Sequence, residues 1–283
     1  MTPMNAKLPD SAELTRERLY GGDIFLVPGS APAKKLAHEA FGVVEETFRD
    51  AGGAHLAQFQ LSPEAFFEKV KGLRRRFFEE RHWQESMGAV AAARGFDLDR
   101  CAFDPLRLRC VASDGHLNPA AAPVYGAHRD VWYAHPPCLL TWWLPLHDVG
   151  EEETFHFYPD RLRQPVQNDS EAFDYGAWTQ DGPDLKIGWQ DIEAGRRETF
   201  PALLGGADQD LGDPLGFGCA AGDELLFAGA HLHRTLPQAS GRTRFSFDFR
   251  LVDLADEAAG LGAPVVDNRS RGSAVPGYLR LGG

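Results

Sequence analysis

Near Arg107 the hydrophobic pattern of this chain changes period, and that change limits the fold more than any single motif does. Upstream, apolar residues recur at helical spacing; downstream they fall in short runs broken by Gly, Pro and Asp. After a short strand at Ile24-Phe25-Leu26-Val27, ended by Pro28-Gly29-Ser30, the residues Leu36, Ala40, Val43, Val44 and Thr47 share one face. They predict an amphipathic helix from about Lys34 to Arg49. Ser62 as N-cap and Pro63 in the first position open a second helix with Phe66, Val70, Leu73 and Phe77 as its buried stripe. A third carries Trp83, Met87, Val90 and Ala91 and ends near Gly95.

Strand-like runs follow at Arg107 to Ala112, Cys138 to Leu146, Thr154 to Tyr158, Glu224 to Ala228 and Arg244 to Val252. Helices first and strands afterwards predict a mainly β fold with flanking α: an antiparallel sandwich or barrel with the N-terminal helices packed on one side. One domain over 1–283 is expected, with a helical part at about 20–100, a β core at about 105–255 and an insertion at about 160–220. The insertion is rich in Gly, Asp, Gln and Pro and carries Phe173, Tyr175, Trp178 and Trp189. Long irregular insertions commonly serve as lids or binding loops, so Arg161 to Gly195 is expected to cover a site and to become ordered on ligand binding.

The formal net charge of −12 argues against a broad nucleic-acid footprint, which needs clustered Lys and Arg. The basic run Arg74-Arg75-Arg76 lies between Glu68 and Glu79-Glu80 and is read as a solvated helix face. The four cysteines show no zinc spacing and suit a reducing compartment. No apolar core is present in Met1 to Leu19, and no stretch approaches the roughly 20 apolar residues that span a bilayer. A cytoplasmic protein without a membrane or nucleic-acid partner is expected.

Three segments carry chemistry. In His128-Arg129-Asp130, residues two apart in an extended chain project to one side, so an imidazole and a carboxylate can grip one metal. In Gly222 to His233, a Gly-Asp turn leads a hydrophobic strand with His231 and His233 at its far end. A distal histidine would complete a two-histidine, one-carboxylate triad, which leaves positions open on an octahedral iron(II). Structural zinc normally takes four protein ligands, and no fourth is evident. From Arg244 the chain alternates, so Arg244, Ser246, Asp248 and Arg250 share one face and Phe245, Phe247 and Phe249 the other. That polar face is either solvated or turned inward, in which case Arg244 binds a carboxylate in a bidentate fork with Ser246 adding a hydroxyl.

Jointly these segments resemble the iron(II)/2-oxoglutarate-dependent oxygenase superfamily, and within it the phytanoyl-CoA dioxygenase-like branch. The matching features are the pair His128 and Asp130, the turn Gly222-Asp223, a distal histidine, an arginine eleven residues beyond it, and the Trp-bearing run Cys138 to Leu146. The resemblance covers about Tyr125 to Val252, with an echo in Gly22-Asp23-Ile24-Phe25. It implies a double-stranded β-helix (jelly roll, cupin-like), Fe(II), O2, and 2-oxoglutarate as co-substrate. The implied reaction is hydroxylation of an unactivated C–H bond in a small molecule, with release of succinate and CO2. Halogenases of the superfamily lack the carboxylate; Asp130 is present here, which favours oxygen insertion.

His231 and His233 each have an arginine eleven residues on, Arg242 and Arg244, and spacing does not separate them. The Arg-x-Ser pattern selects Arg244 with Ser246, hence His233 as the metal ligand with His128 and Asp130, and His231 as a supporting or surface residue. Thr141 is a further expected co-substrate contact; Trp132, Tyr133 and Trp143 are expected substrate contacts. His38, His55, His82 and His116 are expected to have no chemical role, and His135, His147 and His156 to lie at the core rim or surface. Two other classes compete: a non-catalytic barrel that binds a metal or small molecule, and a zinc-dependent hydrolase.

Overall fold

The structure, a computed structural model, describes residues 4–118, 125–180, 201–205 and 210–282. Its helical block comprises α1 (Ala12–Gly21), α2 (Ala31–Thr47), α3 (Ala57–Gln60), α4 (Pro63–Glu79) and α5 (Arg81–Ala93). Local chemistry sets their starts: Ser11, Ser30 and Ser62 each accept a backbone N–H in the first turn of α1, α2 and α4. Helix α1 is an addition to the sequence reading. Its apolar stripe is weak, and its cap is the only strong local signal.

Among the described residues seven strands follow or interleave: β1 (Phe25–Val27), β2 (Cys101–Val111), β3 (Leu140–Pro145), β4 (Phe155–Phe157), β5 (Glu224–Ala228), β6 (His233–Thr235) and β7 (Arg244–Asp253). Five form an antiparallel sheet in the order β1-β5-β3-β7-β2, and β4 pairs with β6. Isolated bridges from Leu215 to Phe157 and from His128 to His233 widen the smaller sheet on both sides. No helix is long and apolar enough to cross a membrane among the described residues.

The large sheet is buried on both faces. On the outer face Trp142, Leu144, Phe245, Phe247 and Phe249 pack with the α2, α4 and α5 stripes in one continuous core. The inner face is apolar at one end, where Trp143 and Phe227 meet Phe155 and Phe157 of the smaller sheet. At the other end it is charged. A bulge between Asp104 and Arg107, around Pro105, which has no N–H to offer the ladder, shifts the parity of β2. Asp104 therefore opposes Arg250, Arg107 opposes Asp248, and Arg109 opposes Ser246, all on the inner face.

The Gly222-Asp223 turn has a structural cause. Gly222 has φ +77°, and a Cβ there would meet Lys34 Cα at 2.9 Å. Asp223 then accepts the backbone N–H groups of Gly29 and Ala220, tying the start of β5 to the β1–α2 loop.

Candidate metal centre

His128 and His233 exchange backbone hydrogen bonds, N to O, at 3.0 Å in both directions. This pairing brings together two segments 105 positions apart in sequence and sets the imidazoles side by side, ring centroids 4.4 Å apart. Two residues beyond the bridge the chain enters a short 3-10 turn at Asp130–Tyr133, and the Asp130 carboxylate stands beside both rings. One donor atom from each of His128, Asp130 and His233 lies within 4.8 Å of the others.

Each ring is oriented by a backbone carbonyl. His128 Nδ1 bonds Gly126 O at 3.0 Å and His233 Nδ1 bonds His231 O at 3.1 Å, leaving both Nε2 atoms as acceptors. Burial lowers the His128 pKa to about 4, helped by the neighbouring His233, and lowers that of His233 too. Both are neutral at physiological pH, the form that ligates a metal.

Asp130 is 1 % exposed. Burial alone would raise its pKa, but Arg250 and the two histidines outweigh that and hold the carboxyl well below the usual range. Its Oδ2 accepts the Thr141 hydroxyl at 2.5 Å and its Oδ1 accepts Arg250 Nη2 at 3.0 Å. Arg250 also reaches Asp104 at 3.3 Å and Asp248 at 3.4 Å. Thr141 is thus committed to the carboxylate ligand, a different partner from the co-substrate expected for it. Arg250 was missed as a site residue, although the alternation that turns Arg244 inward turns Arg250 inward as well.

Arg129, between the two candidate ligands, knits the site together. Its guanidinium donates to Asp267 (3.1 Å), Ala230 O (2.5 Å), Arg161 O (2.7 Å) and Gln164 O (3.0 Å). It joins the His128 segment to the turn before His233 and to the start of the insertion. Arg129→Ala is expected to destabilise the fold by about 3–5 kcal/mol, because it leaves Asp267 buried beside only neutral donors. Urea denaturation measures this; a loss below about 1 kcal/mol would contradict it.

Arg244 is 3 % exposed and burial lowers its pKa to about 10, so it remains charged at neutral pH. Nη1 donates to Ser246 at 2.6 Å, the guanidinium carbon lies 5.7 Å from the Trp143 ring centroid, and Nε has no hydrogen-bond partner among the described residues. No carboxylate forms an ion pair with it among the described residues. Arg242 is the opposite case: it is paired with Glu153 at 2.5 Å and donates to Asp148 O. Trp143 and Phe155, ring centroids 5.6 Å apart, line the wall from Arg244 to His233, whose ring is 5.6 Å from Phe155.

The other expected residues are placed as follows. His231 is wholly buried, not at the surface, and its carbonyl rather than its ring serves His233. Trp132 is also wholly buried and donates its indole N–H to Asp267, so it has no surface to offer a substrate. Trp143 packs under Arg244. Tyr133, half-buried, stands edge-on to His128 at 5.9 Å and meets Phe173 at 5.5 Å. Phe173 and Tyr175 in turn contact Trp178. Trp189, and with it residues 181–200, lies outside the described residues. His156 is half-buried near Glu151, and His135 bonds the Tyr278 hydroxyl at 2.7 Å.

His147 is 7 % exposed, and burial lowers its pKa from 6.5 to about 4, against a hydrogen bond to Asp148 O that favours the charged form. A histidine with a depressed folded-state pKa contributes stability that is fully present above 6.5 and is lost as pH falls toward about 4. His135, lowered to about 4 chiefly by burial, acts in the same sense. Unfolding free energy is therefore expected to fall by roughly 1.4 kcal/mol per pH unit per such histidine across that window. Denaturant titrations at pH 7, 6, 5 and 4 measure it; flat stability over that range would contradict it.

No protein-family model and no curated protein matches this chain. Among solved structures it is similar to EvdO2 from Micromonospora carbonacea var. aurantiaca, at 12 % identity over 88 % of this chain and 93 % of that one, with a TM-score of 0.47. A non-heme monooxygenase, ThoJ, gives 14 % identity, 84 % and 76 % coverage and a TM-score of 0.43. SnoN, a non-heme alpha ketoglutarate dependent epimerase from nogalamycin biosynthesis, gives 16 %, 85 % and 84 %, and 0.40. At these identities and TM-scores the likeness decides neither the fold nor the chemistry.

Proposed function

We propose that this protein is an iron(II)- and 2-oxoglutarate-dependent dioxygenase that hydroxylates a C–H bond of a small molecule. What carries this is Arg244, a buried charged guanidinium without a carboxylate partner among the described residues, on the same inner sheet face as the arginine that clamps Asp130. An unpaired charge in an apolar interior is costly, so its retention points to an anionic ligand that completes it. The distal carboxylate of 2-oxoglutarate meets that need, with Ser246 beside it.

The donor set fits the metal. Two neutral imidazoles and one carboxylate leave a divalent ion with unfilled positions, and hard-to-intermediate N and O donors suit iron(II). When bound, iron(II) supplies the redox chemistry by which O2 decarboxylates 2-oxoglutarate to succinate and CO2 and oxidises the substrate. The chain's own residues do the rest. Gly126 O and His231 O fix the imidazole tautomers; Thr141 and Arg250 fix the carboxylate. Trp143, Phe155 and Phe227 keep the wall between the centre and Arg244 dry, which strengthens each polar contact there. Tyr133 beside His128 is proposed to face the substrate. The two antiparallel sheets packed over an aromatic core are the reading of a double-stranded β-helix.

The test is succinate formation from 2-oxoglutarate by the purified protein with Fe(II), ascorbate and O2. Fe(II)-dependent succinate formation is expected. Failure to bind 2-oxoglutarate anaerobically in the presence of Mn(II) would overturn the proposal.

A further inference from the structure

Among the described residues Arg244 has no ion pair of its own to hold it, so something else must fix its place. The residues around it show what does. At the end of β3 the ladder with β7 runs out: Leu146 N still donates to Phe245 O at 3.1 Å. The Phe245 N–H, however, goes to a side chain, His147 Nε2, at 3.1 Å. A ring nitrogen that accepts a backbone N–H must be unprotonated. Its other nitrogen, Nδ1, meets Asp148 O at 2.9 Å and so carries the proton.

The residue on the other side of Arg244 is held in a matching way. Thr243 N donates to His55 O at 2.9 Å, and His55 Nδ1 meets Thr243 O at 3.0 Å. The Thr243 hydroxyl donates to Gln58 Oε1 at 2.8 Å. The two imidazoles stand edge to face, ring centroids 4.4 Å apart, with Phe41 against both. They thus grip the backbone one residue before and one residue after Arg244.

We infer that His55 and His147 form a clamp that positions Arg244 for the distal carboxylate of the co-substrate, with His147 as its critical member. This rests on the reading of Arg244 given above. His147 is a positioning residue: it touches neither metal nor co-substrate and acts through the backbone. Val111 of β2 pairs with Arg244 on one edge of β7; on the other edge, which the β3 ladder has left, the two histidines fix both flanking peptide planes and hence the direction of the side chain. A sliding start to β7 would instead let the guanidinium swing toward Asp248 or solvent and lose its aim.

The experiment measures anaerobic binding to the Mn(II)-loaded protein of two ligands, 2-oxoglutarate and pyruvate. Pyruvate has the same keto-acid end and lacks the distal carboxylate. His147→Leu removes the acceptor for Phe245 N–H; His147→Gln supplies a carbonyl that reaches it; His147→Asn is one methylene too short. Relative to wild type, His147→Leu is expected to weaken 2-oxoglutarate binding about tenfold or more, as loss of one aligned buried contact does. Mn(II) and pyruvate binding should stay within about twofold, and His147→Gln should recover most of the loss. Unchanged 2-oxoglutarate affinity in His147→Leu overturns the inference, and so does an equal loss for 2-oxoglutarate and pyruvate. If His147→Leu does not fold, Gln against Asn decides, and equal affinities overturn it. Absence of 2-oxoglutarate binding in the wild-type protein is a separate outcome, which overturns the proposed function and the clamp's purpose with it.

Discussion

His128→Ala and His233→Ala are each expected to abolish succinate formation and to weaken Mn(II) binding by more than about a hundredfold. Loss of an outer partner of a metal ligand already costs about ten- to a hundred-fold, and these residues supply the donor atoms themselves. Among the described residues neither ring makes a hydrogen bond through Nε2, so stability should change by no more than about 1–2 kcal/mol. His231→Leu is the contrast. Its ring is wholly buried with neither nitrogen in a well-formed hydrogen bond among the described residues, while the carbonyl that orients His233 belongs to the backbone. An apolar side chain of similar volume should keep metal binding and turnover and cost little stability. A dead His231→Leu beside an active His233→Ala would show that the wrong histidine has been assigned.

Arg244→Ala is expected to raise the apparent Michaelis constant for 2-oxoglutarate about thirty-fold or more, equivalent to roughly 2–5 kcal/mol for a charged contact in a dry pocket. Arg242→Ala should leave that constant within about twofold, because its guanidinium is engaged with Glu153 and Asp148 O. It should cost stability instead, since Glu153 is itself buried. Steady-state kinetics on both variants, with urea denaturation alongside, separates the two roles. Equal sensitivity of the Michaelis constant at both positions would remove Arg244 from the co-substrate site.

Much of this was legible because it is local or periodic. Ser62 with Pro63, the stripe Phe66, Val70, Leu73 and Phe77, and the alternation from Arg244 to Arg250 each announce their structure within a few residues. The residue types of the candidate centre, His128 and Asp130 two apart and a histidine ending a strand, were visible for the same reason. Choosing between His231 and His233 was harder, since both satisfy the spacing. The structure separates them through a long-range event, the backbone pairing of His128 with His233, which no local pattern encodes.

What the sequence by itself determined was the inventory and the faces: which elements form, which side of β7 is polar, and which residue types can hold a metal. Only the tertiary structure decided what those faces meet. The polar side of β7 reads equally well as solvated, and it is buried because β2, shifted by its bulge, supplies Arg107, Arg109 and Asp104 against it. Thr141 supports Asp130 because β3 lies next to β7 in the sheet order, which sets it opposite Arg250. Trp132 is aromatic and next to the candidate ligands, and only its burial against Asp267 keeps it from facing a substrate. Arg129 and His147 carry no signature of their own, and Arg250 only that of the inward face it shares with Arg244, because their roles consist of partners brought from distant parts of the chain. Burial and pairing are properties of the assembled fold, and a periodic pattern records only that a face is polar, not whether water or another charge completes it.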